Sequence, residues 1–181
     1  MSIFKAYDIR GLYPDQIDES MAQKIGHGTA LVLQANSEGK TIAVGHDVRA
    51  SAPSISQAVI EGLQRAGTNV VDIGLCTTPM LNYAVGKLQL AGGIMVTASH
   101  NPPEWIGFKI CREKAIPLGE GSGLEMVRER TETPLGNGKG NLEKIDIVPD
   151  YRNHIRSFLK DIPKIKAVVD CANGAVAAHF D

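Results

Sequence analysis

The chain has 181 residues, 43% of them hydrophobic, with a mean hydropathy of −0.08 and a formal net charge of −1. That suits one domain, or one domain plus part of another, around an apolar core. The charge balance excludes a basic nucleic-acid footprint and a polybasic membrane patch, and no apolar run reaches the roughly 20 residues that cross a bilayer.

The opening MSIFKAYDIRG lacks a signal peptide's apolar stretch. Cys76, Cys111 and Cys171 are far apart, and no C-x-x-C occurs. A zinc or disulfide framework is therefore not expected, and the thiols read as reduced and mostly buried in a cytoplasmic protein.

In chain order, the first predicted element is a helix from Ile17 to about Gln34, capped by Asp18. Met21, Ile25 and Val32 form its stripe around the small Gly28. Thr41–Gly45 has a strand's length and composition. Ser51–Ala66 reads as a helix with Ser51 as candidate cap, Pro53 in its first turn and Gly67 as its stop. Its apolar face is Ile55, Ala58, Val59, Leu63 and Ala66. A strand over Asn69–Gly74, a helix opening at Thr78-Pro79 and ending near Lys87 or Leu88, and a strand over Gly92–Ala98 complete the series.

Further on, Phe108–Arg112 reads as a strand after a turn at Gly107, and Gly121–Arg130 as a surface helix. Leu135–Asn141, rich in turn residues, reads as an exposed loop. A helix over Pro149–Leu159 would make contacts through Ile155, Phe158 and Leu159. Ile165–Asp170 would begin a strand of a second, truncated α/β domain. The expected division is 1–147 and 148–181. The fold class is α/β: a mixed, mainly parallel sheet with flanking helices, plus the start of that second domain.

In open α/β sheets, ligands bind beyond the carboxyl ends of the strands. Two polar clusters fall there, His46-Asp47-Val48-Arg49 and Thr97-Ala98-Ser99-His100-Asn101. Pro102 and Pro103 end the strand and stiffen the loop that carries Ser99. A serine hydroxyl needs a base or an electrophile held in line. A Ser-His hydrolase is disfavoured because no G-x-S-x-G elbow occurs and because neighbours in extended chain point to opposite faces.

Phosphoryl chemistry fits better. Arg10, Arg49 and Lys109 flank probable loops and would suit a phosphorylated Ser99. Gly39-Lys40-Thr41 has only the tail of a P-loop and leads into a strand. Structural readings compete at each position. The Ser-His pair can be a local cap, and Arg10 can pair with Asp8 or Asp47. Arg49 can be fixed by Asp47, His46 can close its strand, and Trp105 can be a loop anchor or a sugar platform. His27, His154 and His179 read as surface or packing residues.

Four ordered motifs carry a resemblance: FKAYDIRG at 4–11, GHDVRAS at 45–51, TASHNP at 97–102 and GFK at 107–109. Together they closely resemble the α-D-phosphohexomutase family, in its phosphomannomutase/phosphoglucomutase branch. The resemblance implies that Ser99 is carried as a phosphoserine. It passes its phosphoryl group to a hexose monophosphate, and a 1,6-bisphosphate intermediate returns the other one, moving phosphate between O1 and O6. It further implies Mg²⁺ at Ser99, hexose 1,6-bisphosphate as activator, and His100 and Lys109 as groups for proton transfer or charge stabilisation. Arg10 would contact the phosphoryl group, Tyr7 would line the substrate site, and Asp47 and Arg49 would brace the loop.

Two departures stand out. Trp105-Ile106 replaces the family's frequent Tyr-Asn, and the metal loop D-G-D-G-D-R of the second domain is missing. The chain alone is therefore expected to have little mutase activity. Hexose phosphate is the expected partner, with no nucleic acid or membrane, and the oligomeric state stays open. The rival reading is a non-catalytic phosphosugar-binding or protein-interaction module.

Overall fold

A computed structural model describes residues 2–36, 41–161 and 163–179. Gly39 and Lys40 of the P-loop-like step lie outside the described residues, and Thr41 opens a strand. The strands are β1 (Ile9–Leu12), β2 (Thr41–His46), β3 (Asn69–Leu75), β4 (Gly92–Val96), β5 (Trp105–Arg112), β6 (Ile116–Pro117) and β7 (Leu142–Lys144). They form one sheet in the order β1-β5-β4-β2-β3-β7, with β6 paired to β5. The four strands β4, β2, β3 and β7 run parallel, and β1 and β5 are antiparallel to their neighbours.

The helices are α1 (Glu19–Asn36), α2 (Ala52–Arg65), α3 (Thr78–Lys87), α4 (Leu124–Arg130) and α5 (Val148–Ser157). Side-chain alternation along the strands sorts them into two layers. Ile42 and Val44 of β2, and Ile94 and Val96 of β4, face a core shared with α1, α2 and α4. Ala43 and Met95, their intervening neighbours, face a second core with Met80, Leu81, Ala84 and Val85 of α3. Both faces of the parallel strands are thus covered, as a parallel sheet requires.

Local chemistry explains the start of α1 and the stop of α2. Asp18 Oδ1 accepts the Met21 amide at 2.8 Å and caps α1. Gly67, at φ +82°, ends α2 as expected. The side chain of Ser51 makes no cap bond; its carbonyl instead accepts the Ser54 hydroxyl. The α1–α2 contact depends on missing side chains. A Cβ on Gly26 would stand 2.4 Å from the Val59 carbonyl oxygen, and one on Gly62 would stand 2.1 Å from that of Gln23.

Several expectations are corrected. Gly107 lies inside β5, paired with Arg10 of β1, and makes no turn. The surface helix expected over Gly121–Arg130 is present as α4 but starts at Leu124, and it buries Leu124 and Val127 against the core. The 135–141 segment is the irregular, largely exposed loop expected, and it runs as a strap along the end of α2. Gly138 and Gly140 donate to the carbonyls of Arg65 and Gln64, and the strap delivers β7 to the sheet. α5 ends at Ser157, short of the expected Leu159, and Ile155 on it and Phe158 and Leu159 beyond it are exposed. That helix reaches the domain through Tyr151 and through His154, which stacks on Tyr83 at 4.7 Å. Residues 165–170 form no strand, because no neighbouring strand among the described residues supplies their hydrogen bonds.

Candidate functional site

β2 leads through α2 to β3 on one side of it, and α3 carries the chain back to β4 on the other. The switch point of the sheet therefore lies between β2 and β4, and the loops after these two strands meet there. The Asp47 amide donates to the Val96 carbonyl at 3.0 Å, joining the two strand ends.

From that junction the serine loop is tied at almost every carbonyl. Arg49 Nη2 donates to the carbonyls of Ser99 and Asn101, both at 2.8 Å. Its Nη1 donates to those of Pro102 at 2.6 Å and Trp105 at 3.0 Å. Asp47 steadies the guanidinium, with Arg49 Nε donating to Oδ2 at 3.1 Å and the Arg49 amide to Oδ1 at 3.0 Å. A planar fork with five donors matches several carbonyls as an ammonium cannot. Asn101 closes the turn from within, its Nδ2 donating to the Ala98 carbonyl at 2.8 Å.

Ser99 itself is exposed and adopts φ +56°, left-handed for a residue with a Cβ. This corrects the extended geometry assumed from the sequence. The turn brings Ser99 Oγ to 3.4 Å from His100 Nδ1. The contact is long and exposed, and among the described residues no carboxylate is hydrogen-bonded to His100, so it makes no triad.

A second cluster stands beside the loop. Asp8 is buried, with Arg10 Nε on Oδ1 at 2.9 Å and Lys109 Nζ on Oδ2 at 3.3 Å. The sheet register explains the pairing. Ile9 is opposite Phe108, so Asp8 falls opposite Lys109, and Arg10 shares the face of Asp8. A Cβ on Gly107 would stand 2.9 Å from Arg10 Cγ, so the glycine leaves room for that side chain to cross the strand. Both cations keep about a third of their side-chain surface exposed, at 30% for Arg10 and 37% for Lys109.

The serine loop separates two hollows. One, of about 360 Å³, is lined by Lys5, Ala6, Tyr7, Arg10, Asn101 and Trp105. Tyr7 stands out from the surface at 83% exposure. The other, of about 600 Å³, runs past Ser99, His100 and Asp47 to Thr77 and Thr78 at the start of α3, and residues 172–175 form its far wall. Cys76 lies at its floor, where burial pushes the thiol up to about 12 and keeps it protonated. Burial likewise raises Cys111, to about 11.

The sequence motifs single out Tyr7, Arg10, Asp47, Arg49, Ser99, His100 and Lys109, and of the two partners open to Arg10 the structure pairs it with Asp8; the hold of Asp8 on Lys109 and the parts of Lys5, Thr97 and Asn101 are not legible in them. The parts of Thr97 and Asn101 needed the turn itself, and Lys5 needed the hollow it shares with Tyr7. Among the described residues no group of three His, Cys, Asp or Glu side chains could hold a metal ion. No helix among them is long and apolar enough to cross a membrane.

Fold and loop define a class: an α/β/α domain that offers one clamped serine at its switch point, with paired cations alongside. The chain belongs to the phosphoglucomutase/phosphomannomutase family, whose model for "alpha/beta/alpha domain I" matches residues 1–133. It is similar to the phosphomannomutase of Vibrio cholerae, 37% identical over 187 residues, which cover 100% of this chain and 40% of that protein. It is 40% identical over 177 residues to the phosphomannomutase/phosphoglucomutase of Pseudomonas aeruginosa, covering 96% of this chain and 37% of that protein. Among solved structures, a phosphoglucomutase/phosphomannomutase family protein from Burkholderia thailandensis superposes with a TM-score of 0.78 at 33% identity, over 87% of this chain and 36% of that one. The chain thus spans about 40% of the length of these curated relatives.

Proposed function

We propose that this chain is the phosphoserine-carrying part of a phosphohexomutase. Ser99 Oγ holds a phosphoryl group and gives it to mannose or glucose monophosphate, taking the other group back from the 1,6-bisphosphate. The observation that carries this is the clamped, left-handed Ser99, its hydroxyl at the surface beside His100 and its carbonyl fixed by Arg49. Positioning and charge stabilisation do most of the work in phosphoryl transfer, and a serine clamped through its backbone supplies the first.

Arg10 and Lys109 supply the second, both held by Asp8 and each with about a third of its side chain exposed. Arg10 contacts the phosphoryl group, Tyr7 lines the sugar site, and His100 and Lys109 serve as proton carriers or charge stabilisers. Asp47 and Arg49 brace the loop. The family implies Mg²⁺, with hexose 1,6-bisphosphate as activator, in a cytoplasmic enzyme. The donors present do not fit a complete magnesium site. Among the described residues at the loop, Asp47 is engaged by Arg49 and Thr97, which leaves the Ser99 oxygen.

We further propose that 1–147 forms the phosphoserine domain and 148–181 opens a second one. On this reading the chain alone has little mutase activity. The missing carboxylates are also what favours the rival, a non-catalytic phosphosugar-binding module.

Intact-mass analysis with fragmentation across Ser99, together with mutase assays of the whole protein, separates the two. A phosphoryl group on Ser99, and turnover reduced at least about a thousandfold by Ser99→Ala, are expected. An unmodified serine with turnover untouched by Ser99→Ala would overturn the proposal.

A further inference from the structure

We infer that Thr97 is a positioning residue for transfer at Ser99, acting through the serine's own amide. The inference rests on the phosphoserine reading and adds to it a residue with no contact to the reacting atoms. Thr97 is the first residue beyond β4, and 7% of it is exposed. Its amide donates to the Gly107 carbonyl at 2.9 Å, continuing the pairing with β5, so its backbone is fixed independently of its side chain.

The side chain then makes two bonds in opposite senses. Oγ1 donates to Asp47 Oδ2 at 2.6 Å and accepts the Ser99 amide at 2.9 Å. The same Asp47 oxygen accepts Arg49 Nε, and Arg49 Nη2 returns to the Ser99 carbonyl. The result is a closed ring: Asp47 to Thr97 to the Ser99 amide on one side, Asp47 to Arg49 to the Ser99 carbonyl on the other. Ser99 is gripped at both backbone polar groups while its hydroxyl stays out of the ring.

The chemistry requires a hydroxyl at 97. A left-handed φ costs a β-substituted residue of order 1–2 kcal/mol, so the turn persists only when its surroundings hold it. A carboxylate cannot bond the Ser99 amide through a side chain that lacks both a donor and an acceptor. Threonine supplies both, and donation to Asp47 polarises the oxygen that accepts from Ser99. Valine keeps the shape and loses the ring. Ser99 can then relax toward extended backbone, which moves Oγ off the line of transfer. A displacement of about 1 Å can cost about a hundredfold in rate.

The test compares Thr97→Val, Thr97→Ser and Ser99→Ala in the whole protein, assayed with hexose 1-phosphate and hexose 1,6-bisphosphate. Thr97→Val is expected to lower kcat about tenfold or more with KM for the sugar phosphate within about twofold, and Thr97→Ser to restore kcat to within about threefold. Thr97→Val turning over at the wild-type rate while Ser99→Ala is dead would overturn this inference and leave the phosphoserine reading standing. Ser99→Ala turning over normally would overturn both. Where Thr97→Val does not fold, hydrogen exchange at the Ser99 amide decides. Slowed exchange in the wild-type protein supports the ring, and exchange at the free-peptide rate overturns it.

Discussion

Gly93–Ser99 and Lys166–Ala172 look alike on paper: a short apolar run, then small and polar residues. In the folded chain they have opposite fates. The first contains most of β4, with β2 on one side and β5 on the other, every residue of the strand buried. The second has no regular structure at 166–171, with Val168 fully exposed and Val169 at 55%. An apolar run confers only the capacity to be a strand. Neighbours that accept its amides and cover its side chains turn that capacity into structure.

The harshest way to break the comparison is to remove packing from the favoured member. Ile94 is completely buried in the core shared with α1 and α2. Ile94→Ala should cost about 2–5 kcal/mol, the usual range for truncating a buried aliphatic side chain. Urea melts of this chain, with an unchanged denaturant slope, would give the value. A loss under about 1 kcal/mol would mean that β4 is less packed than its burial indicates.

The same reasoning explains which parts of the site could be read in advance. Asp18, Gly67 and the βαβ series were legible because cap, stop and period act over a few residues. The clamp on Ser99 was only half legible. Asp47 and Arg49 are close in sequence, but the carbonyls that Arg49 grips lie 50 to 56 positions away. The Asp8–Lys109 pair spans 101 positions and exists only because β1 lies antiparallel to β5. The left-handed turn at Ser99 could not be read at all. A strand followed by two prolines suggests extended chain, and the bonds that hold the rarer conformation, through Thr97, Arg49 and Asn101, form only in the folded loop.

Between the two extremes lies the strap at 135–141, irregular in backbone yet held in place. Buried His27 on α1 accepts the Gly136 amide at Nε2, 3.0 Å away. Burial, with the nearby Arg65 charge, lowers its pKa from the ordinary 6.5. A base whose pKa falls on folding binds fewer protons folded than unfolded, so stability rises with pH through that window. Stability should therefore be complete above about pH 6.5 and decline as pH falls toward the lower folded value. His27→Gln keeps an acceptor for Gly136 and removes the titration. Melts at pH 7.5 and 5.5 should then differ less in the variant than in the wild type. An equal acid loss in both would assign the effect to other groups.

The smallest effect belongs to the disfavoured member of the pair. Val168 is fully exposed, so in this 181-residue chain it has no contact to lose. Val168→Asp should change stability by no more than about 0.5 kcal/mol, the usual scale for a surface substitution. The same carboxylate at Ile94 would unfold the domain, because burying an unpaired charge costs several kcal/mol. A loss above about 2 kcal/mol at Val168 would mean that the segment does find cover in solution. If that loss grows with protein concentration, the cover is a second copy of the chain, since only an intermolecular contact depends on concentration.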